Sequence, residues 1–120
     1  MSSVQVQLPN AGHYIKSEVG SISRDKVTFS GGKFMAGEVY AVVAGKAVKL
    51  DFADDAGAEL AKGICYAYVD ASAADVGGVA TTRLTEVNLN GLTLPTGYTP
   101  PNLASAVSEL AKTNIVVRGA

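Results

Sequence analysis

The sequence predicts a mostly β domain (an α+β fold) with one short helix near the C-terminal end and an extended N-terminal arm. Three observations carry this. Short β-branched runs such as "EVYAVVAG" (38–45) are closed by glycine, the pattern of buried strands. Only one stretch, "PPNLASAVSELAKTN" (100–114), repeats apolar residues at helical spacing. The first 19 residues are poor in charge and contain one alternating run, broken by Pro9.

The arm is assigned to residues 1–19 and the β-rich domain to 20–120. Val4-Gln5-Val6-Gln7-Leu8 alternates with a period of two, which gives a strand one apolar face. "NAG" after Pro9 reads as a turn, and Pro9 and Gly12 as the hinge between arm and domain. A terminal strand without a local partner is either a frayed end or an arm awaiting another sheet's edge.

Lys26-Val27-Thr28-Phe29 is expected as a strand ended by Ser30-Gly31-Gly32. Residues 38–45 and "KAVKLDF" (46–52) are expected to form a tight hairpin about Ala44-Gly45, where glycine supplies a positive φ. "DFADDAGAELAKG" (51–63) reads as a loop or short helical turn, and "GICYAYVDAS" (63–72) as one buried strand. "ATTRLTEVNLN" (80–90) is a further strand set, in which Leu84, Val87 and Leu89 are apolar. A Gly- and Pro-rich connection, 91–101, leads to the helix.

In the helix, Pro101 and Asn102 suit the start, with Asn102 as the cap. Leu103, Val107 and Leu110 form the apolar stripe with Ala106 and Ala111 beside it, and Lys112 complements the helix dipole. "IVV" (115–117) closes the chain as a strand.

Composition narrows the function. A chain of 120 residues fits one domain, burying roughly two-thirds of its unfolded surface. Ten basic and eleven acidic residues are interspersed, giving a formal net charge of −1, so a nucleic-acid partner is not expected. The opening segment has no signal-peptide pattern and no apolar stretch is long enough to span a membrane, so synthesis in a cytoplasm and no membrane partner are expected. The single cysteine cannot form an internal disulfide.

Catalytic chemistry is poorly supplied. Alternation places Cys65, Ala67 and Val69 on one strand face and Ile64, Tyr66 and Tyr68 on the other, the setting of a small buried hydrophobe. His13, the only histidine, is read as lying in the loose arm, where nothing holds a general base rigidly. One cysteine and one histidine fall short of a zinc site. Asp51, Asp54, Asp55 and Glu59 lack the ligand spacing of a calcium loop. The glycine pairs 31–32 and 77–78 lack the lysine and following helix of a phosphate loop. No catalytic residue, metal or cofactor is assigned.

A resemblance adds to this reading. "SEVGSISRDKVTF", "GGKFMAGEVYAVV", "KAVKLDFADDAGAELAKGICYAYVDAS" and the terminal "NIVVRGA" follow one another in an order that resembles lambda-like bacteriophage head decoration proteins, the capsid-stabilising protein D family, over roughly residues 17–120. The resemblance implies a β-tulip or barrel-like domain without catalytic residues. It also implies a homotrimer, encoded by a phage or prophage, on the outer surface of the expanded phage capsid, tying neighbouring major capsid protein subunits together. The capsid-binding candidates are the arm residues Val4, Gln5, Val6, Gln7, Leu8, Tyr14 and Ile15. Leu94 and Tyr98, in a connection too apolar for a free loop, are the candidates for the trimer interface. Folding back onto their own domain is the competing expectation for both.

Two rival functions are a stand-alone β module binding a protein or sugar, and a thiol hydrolase. The absence of Trp and the scatter of five Tyr weigh against a sugar platform.

Overall fold

A computed structural model describes residues 10–53 and 57–118. Ten strands and one α-helix follow in the order β1 (Ile15–Glu18), β2 (Arg24–Phe29), β3 (Gly32–Phe34), β4 (Val39–Val43), β5 (Lys46–Lys49), β6 (Ala61–Cys65), β7 (Val69–Ala71), β8 (Val76–Thr81), β9 (Thr85–Asn88), α1 (Pro100–Ala111) and β10 (Ile115–Arg118). Short 3₁₀ turns occupy Gly20–Ser23 and Leu89–Gly91. The mostly β expectation is met, and its centre is a closed barrel in the order β2-β5-β4-β6-β8. A sheet β1-β9-β10 and a pair β3-β7 flank it.

The β4–β5 hairpin forms where the sequence placed it. Val43 pairs with Lys46, and the two linking residues take positive φ, 54° at Ala44 and 79° at Gly45. That is the turn whose twist matches a hairpin's strands. Strand β6 shows why both faces of its sequence are apolar. Ile64 enters a core with Tyr14, Val39, Val87, Leu110 and Ile115, whereas Cys65 enters the barrel core with Phe29, Phe34, Tyr40 and Ala80. The strand is a wall shared by two cores. In the second, the Phe29 ring lies 4.9 Å from Phe34 and 5.6 Å from Tyr40, tilted or edge-on as aromatic quadrupoles prefer.

Several boundaries differ from the sequence expectation. Residues 63–72 are two strands, because the chain leaves the barrel after Cys65 and β7 pairs with β3 instead. The pair Gly77-Gly78 lies inside β8 and does not end a strand: a Cβ on Gly78 would meet Val69 Cγ2 at 2.6 Å and the Phe29 ring at 3.0 Å. Residues 80–90 divide into the end of β8 and β9, with Leu84 between them in the left-handed region at φ 52°.

The helix is capped by Thr99, whose side chain accepts from the Asn102 N–H, so Asn102 is not the cap. Pro100 and Pro101 fill the first positions, where an N–H would have no intrahelical acceptor. Ala106 and Leu110 are buried and Ala111 is exposed, which places the apolar stripe on the Ala106 side. Lys112 caps the other end and bonds Glu109 at 2.8 Å.

The N-terminal part departs most from the 1–19 arm. Strand β1 pairs antiparallel with β9, Ile15 opposite Val87 and Glu18 opposite Thr85, while β10 runs parallel on the other side of β9. Residues 10–18 are therefore built into the domain, and Val4, Gln5, Val6, Gln7 and Leu8 lie outside the described residues.

Candidate functional site

The geometry of residues 10–18 fixes where any arm must begin. Gly12, at φ 68°, donates its N–H to the Tyr66 carbonyl at 2.9 Å, so it is held in a turn and is not a hinge. Tyr14 is fully buried, its hydroxyl 2.6 Å from Thr81 Oγ1. Burial drives its phenol pKa well above the ordinary value, since an ionised ring oxygen would lose its hydration there. Its side chain is enclosed by its own chain. Ile15 is half-buried and packs against the same core.

His13 is not loose. Its Nδ1 lies 3.1 Å from the Asn10 carbonyl and its Nε2 3.0 Å from the Gly91 carbonyl. The ring fits only because position 37 is glycine: a Cβ there would meet His13 Cε1 at 2.8 Å. The histidine bridges the start of the domain to the 3₁₀ turn at 89–91.

Glu18, at the end of β1, pairs with Arg24 and accepts from Ser23 Oγ at 2.7 Å. The Arg24 hydrogen bond is the largest effect holding the Glu18 carboxyl below its ordinary pKa, against partial burial. Arg24 in turn stacks 4.2 Å from the Tyr66 ring centre.

The connection 91–99 places the two trimer candidates differently. Leu94 is half-buried against the core that contains Val39 and Leu50. Tyr98 is 45% exposed and lines a shallow cavity with Asp51, Phe52 and Pro95. Neither is fully enclosed, so Tyr98 remains available to a neighbour. Val19 and Ile22, each more than half exposed, lie just before β2 as apolar side chains that their polar sequence context concealed.

Cys65 is a core residue. Its Sγ donates to the Ala67 carbonyl at 3.0 Å, and burial pushes the thiol up to about 12. A thiol so placed is neutral at ordinary pH. Its hydrogen-bond partners and those of His13 are main-chain carbonyls, and no bond links the two residues. Asp51 caps the Ala53 N–H and Glu59 the Gly57 N–H; Asp54 and Asp55 lie outside the described residues. Among the described residues no group of His, Cys, Asp and Glu is arranged to hold a metal, and no helix is long and apolar enough to cross a membrane.

The described residues thus form a small barrel-centred β domain with exposed apolar side chains. The family of the bacteriophage lambda head decoration protein D matches residues 4–115, and the chain belongs to it. Membership makes it a structural component of a phage virion that binds the capsid. Neither a curated protein nor a solved structure matches the chain.

Proposed function

We propose that the chain binds as homotrimers to the outside of the expanded phage capsid and stabilises it by tying neighbouring major capsid protein subunits together. The family match over residues 4–115 carries this reading. The fold supports it: two packed cores and a closed barrel suit a part that must resist unfolding. In this reading the chain is made in the host cytoplasm, does no chemistry and needs no cofactor.

The capsid contact is assigned to Val4, Gln5, Val6, Gln7 and Leu8, which alternate as a strand added to a sheet edge requires. Because Tyr14 is buried and Gly12 is bonded to Tyr66, the arm ends before Asn10. The trimer contact is assigned to Tyr98 and Leu94, of which Tyr98 is the more exposed. Three arms on one trimer act together through effective concentration, so each contact can be weak.

The test is sedimentation of the purified protein with expanded and unexpanded capsids, together with its mass in solution. Binding to expanded capsids that raises their thermal midpoint supports the reading. A protein that binds neither form contradicts it.

A further inference from the structure

Strand β2 is paired along its whole length on one side and at a single position on the other. All six of its residues, from Arg24 to Phe29, pair with β8, but on the other side only Phe29 meets β5, opposite Ala47. The Ser30 N–H donates to the Ala47 carbonyl at 2.9 Å. Main-chain groups in a strand alternate in direction, so Thr28 and Lys26 point their N–H groups toward the same side as Ser30. There β5 has not yet begun, because it runs parallel to β2 and starts at Lys46, after the turn at Ala44–Gly45.

A cavity of about 450 Å³ lies at this place. Lys26, Val27 and Thr28 line it consecutively. Since neighbouring side chains leave a strand on opposite faces, a consecutive run means that the main-chain edge itself forms the wall. The buried Tyr40 and the partly exposed Val42 supply an apolar surface opposite.

The charge is one-sided. Lys62 and Arg83 join Lys26 around the cavity, and Asp25 is the one carboxylate there. Arg83 is paired with Asp25, whereas Lys26 and Lys62 have no ion pair among the described residues. Two solvated ammonium groups flanking an open strand edge complement a strand that carries carboxylates.

We propose that this edge is a second docking site, which accepts an extended, acidic segment of a partner protein by strand addition to β2. Main-chain bonds at Lys26 and Thr28 would supply affinity, and Lys26 and Lys62 selectivity. The proposal goes beyond the N-terminal arm and does not rest on capsid binding.

The test uses the full-length, nitrogen-15-labelled chain and a synthetic hexapeptide, acetyl-Thr-Glu-Val-Glu-Val-Thr-amide. Saturable shifts centred on the amides of Lys26, Thr28, Val42 and Lys62 are expected. Replacing the peptide's glutamates by lysine, or making Lys26→Glu with Lys62→Glu, should weaken binding about fivefold, the worth of two solvent-screened ion pairs. Both lysines are exposed, so the double variant should retain the spectrum of a folded domain. Absence of shifts, or an equal response to the lysine peptide, overturns the proposal and leaves Lys26 as a guard against edge-to-edge aggregation. Shifts at the same amides that depend on protein concentration without peptide also overturn it, because the occupant is then a second copy.

Discussion

Replacing Tyr14 by Phe separates a core residue from an arm residue with one atom. The Tyr14 hydroxyl and Thr81 Oγ1 are 2.6 Å apart, and both residues are fully buried. Removing the phenolic oxygen leaves the threonine hydroxyl without its partner in a place water does not reach. That should cost about 1–3 kcal/mol, the desolvation penalty of an orphaned polar group. For a domain of this size the midpoint of thermal unfolding should fall by roughly 4–12 °C. Tyr14→Ala also removes the ring and should cost about 3–5 kcal/mol, a large share of an ordinary domain's stability. Tyr14→Phe combined with Thr81→Val should recover most of the first loss, because both polar partners then become apolar together. Thermal unfolding followed by circular dichroism reads all three. A Tyr14→Phe midpoint within 1 °C of the parent protein, where the cited penalty predicts a shift of roughly 4 °C or more, would refute the placement of Tyr14 in the core.

Other predictions follow from single contacts. Cys65→Ala should cost on the order of 1 kcal/mol in packing, and a thiol reagent at neutral pH should react with Cys65 only as fast as the protein opens; rapid labelling of the folded protein would contradict its burial. Gly78→Ala should destabilise by about 1–3 kcal/mol through overpacking against Val69 and Phe29, whereas Gly77→Ala, with open space at its Cβ, should be tolerated; equal losses would show that strand propensity rather than space decides. Glu18 has a lower pKa folded than unfolded, so its contribution is present above its ordinary value of 4.5 and is lost as pH falls through the folded value. Glu18→Gln should therefore lower stability at pH 7 by about 1 kcal/mol and flatten its decline below pH 4.5; an unchanged acid limb of the stability curve would count against the Arg24 pair.

Local chemistry was readable where the determinant was local. The Ala44-Gly45 turn, the prolines at the helix start and the alternation of β-branched residues each act within a few positions. The two-sided burial of β6 was not readable, because it depends on a second core assembled from α1, β9 and the N-terminal strand. The placement of residues 10–18 failed for a similar reason. Low charge and Pro9 suggested an arm, but Tyr14, His13 and Ile15 find partners at Thr81, Gly91 and Val87, 67 to 78 positions away. Gly37 and Gly91, whose missing side chains make room there, gave no local sign of that role. The family was legible through the order and spacing of short motifs, while the sparsely paired side of β2 depends on where β5 begins and emerged only from strand pairing.

The most direct measurement of the central claim compares the full chain with one lacking residues 2–9 in co-sedimentation with expanded capsids. The deletion stops before Asn10, so the contacts described for His13, Tyr14 and β1 are retained. The truncated protein should keep its thermal midpoint and its oligomeric state yet bind expanded capsids far more weakly than the full chain. Equal decoration by the two proteins would contradict the account and move the capsid contact onto the folded domain.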